Sequence, residues 1–359
     1  MMLEQVGTDN PVREQAIAPD EVPLLQLVGL RKYFAGRKAF WQTDASAVKA
    51  VDGISLVVRR GETLGFVGES GCGKSTLGRC ILHLEKPTAG QVLFEGIDLA
   101  TLTPEEMRNR RRDMQIVFQD PYSALNPRKT VGAILTEAYR IHGLYTPNER
   151  IEKARELLEL VGLRAEQIYR YPHEFSGGQR QRICIARAIA LDPKLVIADE
   201  AVSALDVSVQ AQVLNLMVAL QKRLGLTYVF ISHDLRVVRH ISDRVGVMYL
   251  GRIVELSETA ALYRRPLHPY TEALLASVPR MGPRKDGTRI VLSGDIPSVL
   301  NAPSGCAFHP RCPHRRERCA IEAPELLEHA PGRFAACHYP LLDQPPPQEH
   351  NFQSTGASS

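Results

Sequence analysis

Gly68-Glu69-Ser70-Gly71-Cys72-Gly73-Lys74-Ser75-Thr76 fits the pattern G-x-x-x-x-G-K-[ST] of a phosphate-cradling loop. Glycines at these points let backbone N–H groups approach phosphate oxygens with no Cβ in the way. Lys74 is expected to reach the β- and γ-phosphates of a nucleotide, and the Ser75 hydroxyl to sit on Mg²⁺. A second run, Ser176-Gly177-Gly178-Gln179, places a hydroxyl and backbone N–H groups at the start of an apolar helical pattern, which also suits an anion. The chain already owns one phosphate cradle. The second suggests that the γ-phosphate of an ATP is held by another subunit.

Asp199-Glu200 follows the apolar run Leu195-Val196-Ile197-Ala198. Asp199 is expected to face Mg²⁺, and Glu200 to polarise an attacking water as general base. Alone, such a pair would read as the cap of a strand end. Gln119 ends the apolar run Ile116-Val117-Phe118, and His233 closes Tyr228-Val229-Phe230-Ile231-Ser232. A lone glutamine is usually solvated and a lone histidine usually structural. Here both stand where strand ends would converge on a γ-phosphate, with Gln119 able to reach the metal or the lytic water.

The elements that must position these groups are legible. Thr63-Leu64-Gly65-Phe66-Val67 predicts a short buried strand before the glycine loop, and the stretch from Leu77 to Leu84 a helix after it. Strand, loop, helix is the context the motif requires. Open α/β sheets bind ligands at the carboxyl ends of their strands. Thr103-Pro104-Glu105-Glu106 and Thr146-Pro147-Asn148-Glu149 are capping boxes with proline at the first helical position. The second starts a helix with Ile151, Ala154, Leu157, Leu158 and Val161 on one face and Gly162 at its end. A helical insert over about 123–183 follows.

The ordered set Lys74, Gln119, Ser176-Gly177-Gly178-Gln179, Asp199-Glu200, Asp206 and His233 resembles the ATP-binding subunits of ABC transporters over about residues 24–277. The resemblance implies an α/β P-loop NTPase fold, with a RecA-like core, an antiparallel β subdomain and the helical insert. It implies a head-to-tail dimer in which Ser176, Gly177 and Gly178 act on the partner's ATP. It also implies that Asp206 carries signals across the dimer and that Phe34 stacks on adenine, with Tyr33 as its rival. The family usually has proline after the acidic pair; Ala201 stands here. Three further stretches, Arg111–Arg128, Pro266–Thr271 and Gly305–Pro313, are similar to the F-type ATPases of dipeptide and oligopeptide importers. That narrower resemblance implies a D-type partner ATPase, two permease subunits, a solute-binding protein and a peripheral place on the cytoplasmic face of the inner membrane.

Cys306, Cys312, Cys319 and Cys337 crowd the last quarter at spacings of five, six and seventeen residues, with His309, His314 and His338 nearby. Four soft thiolates suit Zn²⁺ or an iron–sulfur cluster, though the spacing is not that of a C-x-x-C zinc ribbon. In the resembling importer subunits such a quartet is associated with a [4Fe–4S] cluster. Cys72, Cys80 and Cys184 read as small packing or loop residues.

The expected organisation is a tail over 1–22, an ATPase domain over 23–277, a cysteine-containing extension over 278–340 and a second tail over 341–359. A net charge of +4 over 359 residues gives no argument for nucleic acid. No apolar run is long enough to span a membrane, and the N-terminus lacks the pattern of a secretory signal. Two other functions stay open at this point: the same machine importing nickel, glutathione or another small solute, and a soluble ABC-type ATPase acting on nucleic acid.

Overall fold

Unbroken apolar runs rather than alternating ones mark the central strands, as expected where both faces of a sheet are covered. A computed structural model describes residues 22–35, 47–277 and 302–342. Most of the two expected tails, and residues 278–301 of the extension, lie outside them. A four-stranded antiparallel sheet is ordered β2-β1-β4-β5 and an eight-stranded sheet β11-β12-β10-β9-β3-β8-β7-β6. The first contains β1 (Leu25–Phe34), β2 (Val48–Val58), β4 (Ala89–Phe94) and β5 (Ile97–Asp98). The second contains β3 (Thr63–Val67), β6 (Met114–Val117), β7 (Leu195–Asp199), β8 (Thr227–Ile231), β9 (Arg244–Tyr249), β10 (Arg252–Glu258), β11 (Leu327–Ala330) and β12 (Arg333–Ala335).

Strands β6, β7, β8, β3 and β9 run parallel. All residues of β3, β7 and β8 are buried. In register, Phe66 and Asp199 both pair with Ile231, and Val117 with Ala198. The residues that follow these strand ends are the phosphate loop, Gln119, Glu200 and His233. The topology therefore delivers four separate stretches of sequence to one edge.

The helix after the phosphate loop spans Lys74–Ile81, so it begins at the lysine itself and earlier than the apolar pattern suggests. Both predicted capping boxes form, at Thr103–Glu106 and Thr146–Glu149. The second opens the helix Pro147–Leu160, which buries Ala154, Leu157 and Leu158. Together with the helix Val131–Ile141, it forms the insert before the helix Gly177–Ile189. Ser176 caps that last helix, its Oγ accepting from the Gln179 N–H at 3.4 Å while Gln179 Oε1 accepts from the Ser176 N–H at 3.0 Å. The two glycines differ in their surroundings. A Cβ on Gly178 would stand 2.3 Å from Val209 Cγ1, whereas one on Gly177 would meet Leu205 at an ordinary 3.7 Å.

The C-terminal segment does not stand apart from this core. Strand β12 pairs with β10, placing Ala335 opposite Glu255 and Phe334 opposite Leu256. Phe308 is 1% exposed. Its ring lies 5.5 Å from Tyr249 and 5.3 Å from Tyr270, and those two lie 4.7 Å from each other. Leu341 is buried and its N–H donates to the Leu267 carbonyl at 2.9 Å. The segment's apolar residues are few, but the core supplies the surfaces they bury against. Among the described residues no helix is long and apolar enough to cross a membrane.

Two expectations follow from this packing. Phe308→Ala should lower the unfolding free energy of the whole chain by about 3–5 kcal/mol, the usual cost of truncating a buried phenylalanine, read as a shift of the single denaturation midpoint. A change confined to C-terminal proteolysis would mean that the segment packs independently. Gly178→Ala should cost about 1–3 kcal/mol by overpacking against a stiff valine, while Gly177→Ala should leave thermal stability near native.

Candidate functional site

The phosphate loop is shaped by close backbone approach. Gly73 has φ 107°, and a Cβ there would stand 1.9 Å from the Ala50 carbonyl oxygen; on Gly68 it would stand 2.2 Å from the Met248 carbonyl oxygen. Only glycine fits such positions. Ser70 and Gly71 lie exposed at the tip and Thr76 is half-buried in the first helical turn. Cys72 is buried, and burial pushes its thiol up. Lys74 is 5% exposed. Its Nζ donates to the carbonyls of Gly68 at 2.7 Å and Glu69 at 3.0 Å, and lies 3.7 Å from Cys72 Sγ.

Ser75 Oγ donates to Asp199 Oδ1 at 2.8 Å, joining the loop to the end of β7. Burial, reinforced by the neighbouring Glu200 charge, holds the Asp199 carboxyl above its ordinary value against that hydrogen bond. Glu200 sits at φ 49°, a left-handed conformation that a non-glycine residue rarely adopts, and its N–H donates to the Ile231 carbonyl at 2.9 Å. Residues held this way gather at functional sites, where the surroundings over-determine the strain. Gln119 Nε2 donates to Glu200 Oε2 at 2.8 Å, and His233 Nδ1 lies 3.4 Å from Glu200 Oε1. Five of the expected residues thus form two linked groups around one acidic step, Ser75 with Asp199, and Gln119 and His233 with Glu200.

The Ser176–Gln179 run lies apart from this cluster. Among the described residues no hydrogen bond joins it to the phosphate loop or to Glu200. Ser176 is exposed and the two glycines are half-buried. Asp206 precedes the helix Val207–Leu224 and is exposed, its carboxylate making no capping bond. The rival aromatics separate. The Tyr33 hydroxyl donates to Asp52 Oδ1, while the Phe34 ring is 37% exposed with Lys32 Nζ 4.8 Å from its centroid.

The four late cysteines and His309, His314 and His338 line one recess. All four cysteines are free of disulfides. Burial, and then the neighbouring thiols, pushes Cys312 up to about 11 and Cys337 up to about 12. The expected metal centre on Cys306, Cys312, Cys319 and Cys337, a [4Fe–4S] cluster or Zn²⁺, finds no support in the arrangement of these side chains. Among the described residues no group of three or more His, Cys, Asp or Glu is arranged to hold one metal ion.

Local pattern did not point to the residues behind the loop. Met248 and Ala50 back its glycines, while Tyr270 and Arg311 contact Glu69. Pro266–Thr271 and Gly305–Pro313 stood out as stretches, but nothing in either named its partner in space.

Comparison with known proteins matches residues 51–203 to the family described as ABC transporter, and residues 254–319 to the oligopeptide/dipeptide transporter C-terminal region. The chain is 56% identical over 326 residues to the oligopeptide transport ATP-binding protein AppF of Bacillus subtilis, covering 89% of this chain and 98% of that protein. It is 54% identical over 317 residues to a putative peptide import ATP-binding protein of Brucella ovis, covering 88% of this chain and 98% of that one. Among solved structures it resembles the post-hydrolysis dimer of the ATP-binding cassette MJ0796 bound to ADP and Pi, at TM-score 0.58 and 29% identity, over 66% of this chain and 98% of that one. The chain belongs to the ATP-binding, ATP-hydrolysing subunits of ABC transporters, in the oligopeptide and dipeptide importer branch that carries this C-terminal region.

Proposed function

We propose that the chain drives peptide import as one half of a head-to-tail ATPase dimer, with Glu200 as the general base. The observation that carries this is the convergence on Glu200. Gln119 and His233 approach its two carboxylate oxygens from two different strand ends. A carboxylate so held can accept a proton from a water beside it, and His233, 56% exposed, stands at the open side of the pair. Lys74 offers its ammonium to β- and γ-phosphate oxygens in exchange for the carbonyls it now contacts. Phe34, with its ring exposed and Tyr33 otherwise engaged, serves the adenine.

Magnesium, when bound, neutralises phosphate charge and orients the β- and γ-oxygens. The Ser75 hydroxyl and Asp199 carboxylate, already 2.8 Å apart, are the hard oxygen donors it prefers. Gln119 commits its amide nitrogen to Glu200 and keeps its carbonyl oxygen for the cation.

Ser176 is exposed, Gly177, Gly178 and Gln179 are half-buried, and among the described residues no hydrogen bond joins the run to its own phosphate loop, which favours action on a partner's ATP. Asp206, also exposed, belongs to the same interface. The partner is a D-type homologue of this chain, and the pair sits under two permease subunits served by a solute-binding protein. Such an assembly places the chain peripherally on the cytoplasmic face of the inner membrane, with no role for nucleic acid.

The cysteine recess holds a [4Fe–4S] cluster in this proposal. Cys306, Cys312, Cys319 and Cys337 line that recess, and four thiolates are the donor set such a cluster takes. Because thiols pushed up by burial must lose protons to become ligands, loading should release protons and stabilise the segment.

Glu200→Gln in the assembled complex should lower ATP turnover about 10²–10⁴-fold with ATP binding retained, whereas Lys74→Ala should weaken binding itself. Native turnover in Glu200→Gln would remove the general-base role. Ser176→Arg should empty only the partner's site, measured as nucleotide occupancy in the D/F-type heterodimer. For the recess, anaerobically purified protein should be brown and lose its visible absorption in Cys312→Ser. Colourless protein with four titratable thiols would exclude the cluster.

A further inference from the structure

Glu69, the second residue of the phosphate loop, is held at three points. Its N–H donates to the Tyr270 hydroxyl at 3.0 Å. Its carbonyl accepts from Lys74 Nζ at 3.0 Å. Its carboxylate takes both terminal nitrogens of Arg311, at 2.8 and 3.0 Å. That last contact is the two-pronged geometry in which guanidinium and carboxylate match best. The Arg311 side chain is 5% exposed and that of Glu69 20%.

Arg311 comes from 242 residues away in the chain. It lies in the turn His309–Arg311 between Cys306 and Cys312, next to Phe308 of the aromatic cluster that also carries Tyr270. The C-terminal segment therefore touches the phosphate loop through a charge on a rigid base. The loop itself needs that support. Its glycines make it entropically costly to order, and a carboxylate in a triphosphate cradle repels the ligand unless it is neutralised.

We propose that Arg311 is a positioning residue of the nucleotide site: it neutralises Glu69 and pins its carboxylate to the C-terminal segment, so that the loop presents donors rather than a negative charge to the phosphates. The inference rests on the loop being the ATP cradle. It also means that the turn between the first two cysteines of the recess bears directly on ATP affinity.

The test is titration of the full-length chain with a non-hydrolysable ATP analogue and magnesium. Arg311→Met should weaken binding about tenfold, the equivalent of about 1.4 kcal/mol. Adding Glu69→Gln should restore most of that loss, because the carboxylate left unpaired is then gone. A purely structural role for Arg311 would not be rescued in this way. Arg311→Lys keeps a charge but not the fork; it covers the case in which Arg311→Met does not fold, with an expected loss of about threefold and the same rescue. Binding within about twofold of native in the arginine variants, or a loss that Glu69→Gln does not restore, would overturn the inference. Lys74→Ala serves as the reference. If it binds the analogue as the native chain does, the cradle assignment itself fails, and the role of Arg311 falls with it.

Discussion

Burial of β3 on both faces is the constraint from which the rest follows. All five of its residues are buried, covered by the helix Leu235–Ile241 and by the cluster that includes the antiparallel sheet, and both of its neighbours, β8 and β9, are parallel to it. Parallel order sends every strand end to the same edge. Register does the fine placement. With Asp199 opposite Ile231, Glu200 and His233 leave the sheet within reach of one another. A slip of one residue in β7 would move Glu200 by about 3.3 Å and exchange the faces of its neighbours.

The site built at that edge concentrates negative charge. Asp199 and Glu200 are adjacent, Glu69 stands in the loop above, and Lys74 is the buried cation among them. The protein manages each carboxylate differently. Asp199 is tied to a serine hydroxyl, Glu200 is held between an amide and an imidazole, and Glu69 is paired with a distant arginine. Each arrangement leaves a different group available: oxygen donors for a cation, a carboxylate beside which a water can stand, and a loop with its acidic side chain turned to a partner.

Much of this was legible in the sequence because the chemistry is carried by short contiguous motifs. The glycine loop, the apolar runs ending in Gln119, Asp199-Glu200 and His233, and the two capping boxes each declare themselves locally. What stayed hidden was carried by pairs far apart in the chain. Glycine at position 178 answers to Val209, at 68 to Met248 and at 73 to Ala50; none of these partners is adjacent in sequence. The cysteine-rich end is poor in apolar residues. It looks short of a core only when considered alone, since Phe308 and Phe334 bury against surfaces contributed by β9, β10 and the helix Pro269–Ser277.

The hairpin of β11 and β12 has a consequence for the order in which the molecule can be made. It covers the outer edge of β10, and a strand edge left uncovered is a template for unwanted pairing. Chains fold from the N-terminus as they are synthesised, and residues 327–335 leave the ribosome after every other described strand. Until then the sheet ends at an open β10 edge, which β12 covers among the described residues. A chain halted before the hairpin would therefore carry an intact set of ATP motifs on a sheet with one sticky side.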